Sequence, residues 1–213
     1  MVRSGKDFSH EMRFLKKELV RQDQTVIECG AHHGAQSILL SHWVGSSGKV
    51  LALEPIPENL RIQKTNVELN HLTNVVVIGK AAGPNCDRVP MNSDSNGSVR
   101  IKGKNTLDIE CITLDELSNQ LKITPTFVKI DVEGFECKVL EGSQSILSKV
   151  PALFVEIHTL TLPRYGNRFE DLWELVNPKY YDIFIQAEDT EEPVPYNPSH
   201  VPQGRVHLFF RPR

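Results

Sequence analysis

A doubly wound α/β fold, with a mostly parallel sheet and helices on both faces, is predicted by three features of the sequence. Short apolar runs recur along the chain, and each is almost continuously apolar, as in parallel strands buried on both faces. Segments with apolar residues at helical spacing lie between these runs. A glycine-containing turn follows the first run. The 213 residues are expected to form a single domain, since about 150 residues per domain is typical.

Five of the apolar runs are predicted as parallel strands: Thr25–Cys29, Val50–Leu53, Val75–Ile78, Phe127–Val132 and Ala152–Ile157. The helices predicted between them are Ala35–Val44, Pro57–Asn70 and Glu136–Leu147. Right-handed crossovers are expected to carry the chain from strand to strand. A last strand, Arg205–Arg211, is predicted to form a hairpin with Tyr181–Ile185.

Three further segments surround this pattern. Within the N-terminal segment 1–24, His10–Arg21 has a short apolar face and is predicted to be a helix that caps the edge of the sheet. Segment 83–112 begins with a polar, turn-rich stretch and is predicted to be an inserted hairpin, with strands at Val99–Ile101 and Leu107–Ile112. Segment 187–204 contains four prolines and is predicted to be a long loop, either a lid or a simple surface loop.

Composition excludes several classes of protein. The chain has 24 Lys and Arg against 27 Asp and Glu, so it lacks the positive field of a general nucleic-acid binder. Its four cysteines form no CxxC pair, which favours reduced thiols over a disulfide framework or a zinc site. No apolar run approaches the roughly 18 residues that a membrane span needs. We therefore expect a cytoplasmic protein with neither a nucleic-acid nor a membrane partner, and we make no prediction of its oligomeric state.

The end of the first strand has the layout of a nucleotide site. The sequence there is Ile27-Glu28-Cys29-Gly30-Ala31-His32-His33-Gly34, and a helix is predicted to follow directly. Glu54 closes the second strand 20 residues after Gly34. In open parallel sheets, an acid at that place accepts hydrogen bonds from ribose hydroxyls, while glycines let the turn approach the ligand.

Charge indicates which nucleotide fits. A dinucleotide fingerprint aligned on Gly30 needs glycine at positions 28 and 33, where this chain has Glu28 and His33. The carboxylate of Glu28 would also repel a pyrophosphate. S-adenosylmethionine has no phosphate and carries a sulfonium and an ammonium group, so an acid there is favourable. The sequence therefore favours S-adenosylmethionine as cofactor, with a nicotinamide-dependent oxidoreductase as an alternative.

The fourth and fifth strands place ionisable side chains at the same end of the sheet. Alternation puts Lys129, Asp131 and Glu133 on one side of the fourth strand, and Glu156 and His158 end the fifth. Such groups are costly to bury unless they are paired or hydrated, so we expect them to line a cleft. Adjacent strands lie about 4.8 Å apart, which brings the two sets within reach of each other.

These side chains suit the acceptance of a proton from the group that receives the methyl. His158 and Asp131 are the candidate bases, and Asp131 is alternatively the group that holds the imidazole in its useful tautomer. Lys129 is expected either to stabilise an alkoxide or to neutralise the acids, and Glu133 is a further candidate catalytic group. Mg²⁺ or Mn²⁺ held by Asp131, Glu133, Glu156 and His158 is an alternative, but our prediction is that the site holds no metal.

Seven blocks occur in order along the chain: ECGAHHGAQS (Glu28–Ser37), LEPIPEN (Leu53–Asn59), TNVELNHLTNVVVI (Thr65–Ile78), TLDEL (Thr113–Leu117), VKIDVEGFE (Val128–Glu136), VLEGS (Val139–Ser143) and VEIH (Val155–His158). Together they resemble FkbM-type methyltransferases, a class I S-adenosylmethionine-dependent family. The resemblance implies a Rossmann-like, seven-stranded class I methyltransferase fold with the last strand antiparallel. It also implies methylation of hydroxyl groups on sugars, polyketides or related small molecules. One departure is His32, because the family commonly has Asn there.

The candidate cofactor-binding residues lie around the turn after the first strand, at the end of the second strand and just after the third: Glu28, Gly30, Ala31, His32, Gly34, Ser37, Glu54, Pro55 and Ala81. For Ser37, capping of the following helix is an alternative to cofactor contact. The third strand lacks the acid that often holds adenine, so backbone groups around Ala81 are expected to replace it. Three asparagines of the family blocks are expected to be structural: Asn59, Asn66 and Asn70.

The sequence thus predicts an S-adenosylmethionine-dependent methyltransferase that acts on a hydroxyl of a small molecule or sugar. A cofactor-binding domain without catalysis of its own remains an alternative, as does the oxidoreductase, while near-neutral charge disfavours an RNA methyltransferase. Acceptor specificity is expected to reside in Gly83–Asn105 and Ala187–Gly204.

Overall fold

The computed structural model describes residues 9–93, 98–99, 106–187 and 191–213. The strands in these residues are β1 Thr25–Cys29, β2 Lys49–Leu53, β3 Val75–Ile78, β4 Ala81–Ala82, β5 Arg88–Asn92, β6 Thr106–Ile112, β7 Phe127–Ile130, β8 Ala152–His158, β9 Tyr181–Gln186, β10 Val194–Pro195 and β11 Arg205–Pro212. The α-helices are α1 His10–Phe14, α2 Ala35–Val44, α3 Pro57–Leu69, α4 Leu114–Leu121, α5 Glu136–Glu141, α6 Gln144–Leu147 and α7 Leu172–Leu175. A π-helical turn spans Leu15–Leu19, and 3₁₀ turns span Leu162–Tyr165, Phe169–Asp171 and Pro178–Tyr180.

The central sheet has the strand order β10-β9-β11-β8-β7-β1-β2-β3. Strands β1, β2, β3, β7 and β8 are parallel, and β11 runs antiparallel to both β8 and β9. The predicted doubly wound sheet and antiparallel last strand are confirmed, with the two-residue β10 added at one edge. The order reverses between β1 and β7, which is where ligands bind in open α/β sheets.

Each face of the sheet is covered by its own apolar cluster. On one face Ile130 of β7 and Val155 of β8 share a cluster with Leu140 of α5. On the other face Val26, Phe127 and Phe154 of the central strands pack with residues of α1, the π-helical turn and α2. This double burial explains why the strands are almost continuously apolar.

The N-terminal helix differs from its prediction. It lies on the face of the sheet rather than at its edge, because Leu15 and Leu19 belong to the same buried cluster as Val26, Phe127 and Phe154. It also ends at Leu19 in a π-helical turn. Residues 1–8 lie outside the described part of the chain. The short apolar face therefore covers the central strands together with α2.

The inserted hairpin forms with a different partner strand. Strand β6 pairs antiparallel with β5, whereas Val99 makes only an isolated bridge to Met91. The rest of the predicted first strand lies outside the described residues. Strand β6 also pairs parallel with β4, so the insert forms a second small sheet of three strands. Pro90 within β5 obscured this strand in the sequence, since proline interrupts strand patterns.

Segment 187–204 contributes to the edge of the main sheet. Its β10 pairs with β9, and Tyr196 stacks on Trp173 with ring centroids 5.9 Å apart. Residues 188–190 are not described. A lid role for this segment stays a prediction.

Near the site, the end of one strand and the extent of one helix differ from their predictions. Strand β7 ends at Ile130 rather than Val132, and Glu133 has a left-handed φ of 56°. The predicted single helix Glu136–Leu147 is two helices separated at Gly142, where a Cβ atom would lie 2.2 Å from the carbonyl oxygen of Gly83. Both departures are tight turns that periodicity does not reveal.

No helix in the described parts of the chain combines the length and apolar character of a membrane span.

Replacing Leu15 by alanine tests the N-terminal helix as part of the core. Leu15 is 1% exposed, so Leu15→Ala is expected to lower the free energy of unfolding by about 2–4 kcal/mol, measured by urea denaturation. The control is Lys17→Ala, whose side chain is 81% exposed and which should change stability by less than about 0.5 kcal/mol. Equal effects from the two variants would contradict the packing described.

Candidate active site

The turn after β1 is pressed against the end of β7. Gly30 has a φ of 80°, and a Cβ atom there would lie 1.8 Å from the carbonyl oxygen of Asp131. The amides of Gly30 and Ala31 both donate to the carbonyl oxygen of Leu53, at 3.1 and 3.0 Å. Only glycine tolerates both this conformation and this contact. The turn thus joins the ends of β1, β2 and β7.

Glu54 holds this turn from the end of β2. Its carboxylate accepts hydrogen bonds from the amide of His32 at 2.8 Å, the amide of Ile56 at 2.9 Å and the side chain of Asn59 at 3.3 Å. Burial raises the pKa of Glu54, and these three bonds oppose that effect. The carboxylate therefore organises the loop while it also lines a cleft.

His32 has a φ of 50°, a conformation in which Asn and His are both enriched. The exchange of the usual family Asn for His thus keeps the shape of the turn. The predicted structural roles of two other asparagines agree with the contacts: Asn66 donates to the carbonyl oxygen of His33, and Asn70 to that of Asn66.

Glu28 and Lys129 are neighbours across β1 and β7. The ammonium of Lys129 lies 3.2 Å from the carboxylate of Asp131, and Glu28 accepts a 2.5 Å bond from the hydroxyl of Ser37. Burial raises the pKa of Glu28 to about 7, although Lys129 opposes the shift. Burial alone would lower the pKa of Lys129, but Asp131 and Glu28 raise it above its ordinary value. Lys129 therefore keeps its charge.

Ser37 does not occupy its predicted place. It is fully buried and bonds to Glu28, so it neither caps α2 nor reaches the cleft. The carboxylate of Glu28 is buried and needs a hydrogen-bond donor, and Ser37 of α2 provides its hydroxyl as that donor. Its effect on a ligand is indirect.

Two clefts open on either side of the contact between Gly30 and Asp131. The first, called the apolar cleft, is lined by Glu54, Pro55, Ala81, Met91, Val132 and Phe135 among others. The second, called the charged cleft, is lined by Glu28, Ala31, His32, Gln36 and Lys129 among others. Both clefts have Gly30 and Asp131 in their lining, so they adjoin each other at the switch point of the sheet.

His158 stands among carboxylates at the end of β8. Its Nδ1 atom lies 2.8 Å from the carboxylate of Glu136, while Nε2 lies 3.6 Å from Glu133 and 3.6 Å from Glu156. Burial by itself lowers the pKa of His158, but the bond to Glu136 and the charges of all three glutamates raise it to about 9. The structure thus brings His158 and Glu133 together as predicted.

The carboxylate that holds the imidazole is Glu136, not Asp131. The side chain of Asp131 bonds to Lys129 instead. Glu136 was not predicted as a site residue because in the sequence it is only the first residue of a helix. It lies 22 positions before His158 in the chain, and only the fold brings the two side chains together. The Nε2 atom of His207 lies 3.1 Å from Glu156, another contact that the sequence analysis did not predict. Sequence periodicity carries no signal for either contact.

Metal-binding atoms of Asp131, Glu156 and His158 lie within 4.8 Å of one another. Acids gathered around a charged histidine have this geometry without an ion, since the imidazolium balances them. The absence of a metal from the site stays a prediction.

The strand order, the glycine turn and the two clefts define a class of protein. They are the features of class I S-adenosylmethionine-dependent methyltransferases, and solved structures of that class have the same α/β fold. A comparison with protein families matches residues 28–183 to the methyltransferase FkbM domain. The chain belongs to the FkbM methyltransferase family.

The individual relatives and solved structures found are similar to this chain at low sequence identity. The chain is 26% identical over 157 residues to the hexuronic acid methyltransferase AglP of Haloferax volcanii, covering 72% of this chain and 63% of AglP. The crystal structure of a methyltransferase FkbM from Methylobacillus flagellatus superposes with a TM-score of 0.60 at 20% identity, covering 90% of this chain and 44% of that one. An S-adenosylmethionine-dependent O-methyltransferase from Thermotoga maritima gives a TM-score of 0.54 at 13% identity, covering 100% and 69%. The chain therefore spans less than two thirds of AglP and less than half of the M. flagellatus protein.

The contact between Gly30 and Asp131 can be tested with two matched glycines. Gly30→Ala and Gly166→Ala both place alanine at a left-handed φ, 80° and 78°, but of the two only position 30 has an atom within 4 Å of the new Cβ. Gly166→Ala is expected to cost about 1 kcal/mol of unfolding free energy. Gly30→Ala should cost at least about 2 kcal/mol more, because the Asp131 backbone must move. Equal losses in thermal or urea unfolding would show that the turn does not press on Asp131.

Proposed function

We propose that this protein transfers the methyl group of S-adenosylmethionine to a hydroxyl of a sugar or related small molecule. The observation that carries the proposal is the pair of clefts that meet at Gly30 and Asp131, with a histidine and three glutamates beside them. The family membership agrees with this activity.

The two clefts match the two halves of the cofactor. The apolar cleft offers Pro55, Val132 and Phe135 to a base and Glu54 to a ribose. Ala81, at the end of the third strand, supplies backbone groups in place of the missing acid. The charged cleft would hold the amino acid, whose ammonium is attracted to the carboxylates of Glu28 and Asp131 in its lining.

The balance of charge disfavours a dinucleotide. Glu28, Asp131 and Glu54 all lie around the turn where a pyrophosphate would sit, and Lys129 is already shared between Glu28 and Asp131. A pyrophosphate would face uncompensated like charge, whereas a sulfonium and an ammonium would be attracted. This argument supports the methyl donor over a nicotinamide cofactor.

The residues around His158 supply the proton transfer. When bound, S-adenosylmethionine supplies an activated methyl carbon, whose bond to sulfur breaks as its bond to the acceptor oxygen forms. The chain's task is to align the hydroxyl and accept its proton. Neutral His158 takes that proton on Nε2 and later releases it to water. Lys129 is held 3.2 Å from Asp131, so we assign it to charge balance in the cleft rather than to an alkoxide.

An open groove next to the apolar cleft is our candidate acceptor site. It shares Val99 and Phe135 with that cleft, and β5 of the inserted segment forms one wall. The phenol of Tyr165 lines the groove and donates a 2.6 Å bond to the carbonyl oxygen of Val99. This placement supports a role for segment 83–105 in specificity.

The cations of this groove favour an acidic sugar. Arg88 and Lys138 are paired with Asp108 and Glu141, but Arg164 is exposed and makes no ion pair within the described residues. A relative is named a hexuronic acid methyltransferase, and a sugar carboxylate is a natural partner for a free guanidinium. We propose a uronic acid glycoside as acceptor. A cytoplasmic location is proposed as well, since all four cysteines are free thiols.

Calorimetry tests the cofactor. S-adenosylhomocysteine is expected to bind with a dissociation constant at or below about 100 μM, while NAD at 1 mM produces no binding heat, because the site lacks a partner for pyrophosphate. Binding of NAD without binding of S-adenosylhomocysteine would overturn the proposal in favour of the oxidoreductase.

Methyl transfer from labelled S-adenosylmethionine tests the acceptor and the base. Methyl β-D-glucuronide is expected to be methylated and methyl β-D-glucoside to react at least about tenfold more slowly in kcat/KM, because only the former can pair with Arg164. Arg164→Gln should remove most of this preference. Transfer to neither glycoside would contradict the sugar proposal.

With the glycoside that reacts, His158→Asn should lower kcat by a factor of about 10² to 10⁴ and leave the affinity for S-adenosylhomocysteine unchanged. His71→Asn, at an exposed position, is the matched control and should retain full activity. In the wild type, kcat/KM is expected to rise with pH up to about 9, because only the neutral imidazole accepts a proton. A rate that is constant from pH 6 to pH 10 would exclude His158 as the base.

A further inference from the structure

We propose that Glu136 is a positioning residue that fixes neutral His158 in the tautomer protonated on Nδ1, so that the lone pair of Nε2 is available on the side of Asp131. This inference rests on the base role proposed for His158 and adds a residue with no previous role in it. It concerns only side chains of this chain, so it can be tested without knowledge of the acceptor.

The burial of Glu136 dictates the tautomer. Glu136 is 0% exposed, and its Oε1 atom accepts two hydrogen bonds, one from the amide of Gly134 at 2.7 Å and one at the Nδ1 atom of His158 at 2.8 Å. An ionised carboxylate can only accept, so the proton of this contact belongs to the imidazole. Moving the proton to Nε2 would leave two acceptors facing each other in a buried place.

The backbone around Glu136 is shaped for this contact. Glu133 and Gly134 have φ angles of 56° and 100°, and this sharp turn directs the amide of Gly134 at the carboxylate of Glu136. A Cβ atom at Gly134 would lie 2.6 Å from the side chain of Thr161, so glycine is required. A carboxylate held by its own turn keeps one orientation, as a positioning group must.

The opposite edge of the imidazole faces further carboxylates. The Nε2 atom lies 3.6 Å from Glu133 and Glu156, and Asp131, which lines both clefts, is in the same 4.8 Å cluster. A hydrogen-bonded carboxylate behind one ring nitrogen and a substrate in front of the other is the arrangement that orients histidine bases in hydrolases. In this protein the same arrangement would orient His158 to accept a proton from the hydroxyl that is methylated.

Charged groups from every neighbouring element act on this histidine. Glu133 and Glu136 face it from the turn and helix after β7, and Glu156 lies on its own strand. From β11, Arg205 lies 3.4 Å and His207 3.1 Å from Glu156, and Lys129 is paired with Asp131. Of the groups that raise the pKa of His158 to about 9, Glu136 has the largest effect. Neutralising Glu136 should therefore change both the titration and the tautomer.

Nuclear magnetic resonance of protein labelled with ¹⁵N-histidine reads both properties directly. The signals of His158 are assigned by their loss in His158→Asn, and the full chain is titrated from pH 5 to pH 10.5. In the wild type, the neutral form is expected to show a protonated Nδ1 and an unprotonated Nε2. Glu136→Gln is expected to lower the titration midpoint by at least about one pH unit and to yield a mixture of tautomers, because an amide can donate or accept.

The matched control is Glu133→Gln, which removes a charge that faces Nε2 instead. It should lower the midpoint as well but leave the proton on Nδ1. A wild-type imidazole protonated on Nε2, or an unchanged midpoint in Glu136→Gln, would overturn the inference. If Glu136→Gln does not fold, the wild-type tautomer decides the question alone. Calorimetry with S-adenosylhomocysteine on the same samples separates the proposed function from the proposed tautomer. If the wild type does not bind S-adenosylhomocysteine, the proposed function is refuted, but the tautomer assignment is not.

Discussion

The buried ammonium of Lys129 is the group on which the geometry of the site depends. An unpaired ammonium in a sheet interior would be costly, and this one is compensated by Glu28 across the strand pair and by Asp131 at 3.2 Å. The three charges lie where the strand order reverses, so they fix the ends of β1 and β7 relative to each other. The acid at the end of β1 can therefore remain in a buried place, with Ser37 donating to it from behind.

Asp131 connects the binding side of the site to its reacting side. Its carbonyl oxygen occupies the space that a side chain at Gly30 would fill, its carboxylate pairs with Lys129, and the same carboxylate belongs to the cluster around His158. A movement of this residue would alter the turn after β1 and the surroundings of His158 together. The short segment after β7 therefore contains several of the side chains that line the site. Two of its residues, Glu133 and Gly134, have positive φ.

The sequence predicted the parts of the molecule that depend on local pattern. All five parallel strands were placed within two residues of their observed bounds, and the glycine turn with Glu54 was located from spacing alone. Contacts between segments that are distant in the chain could not be predicted from local sequence pattern. Glu136 is the start of a helix in sequence terms, and its contact with His158 exists only because β7 and β8 are adjacent. The N-terminal helix was assigned to the edge of the sheet because a short apolar stripe does not reveal which strands it covers. Strand β5 was missed because Pro90 interrupts its pattern.

The central claim is that the two clefts hold the two halves of one cofactor. A crystal structure of the protein with S-adenosylhomocysteine tests this most directly. The account predicts the adenosine in the apolar cleft beside Glu54 and Pro55, the amino acid in the charged cleft beside Lys129, and the sulfur near the contact between Gly30 and Asp131. Density for the ligand in a different part of the molecule, or with its amino acid in the apolar cleft, would contradict the assignment of both clefts.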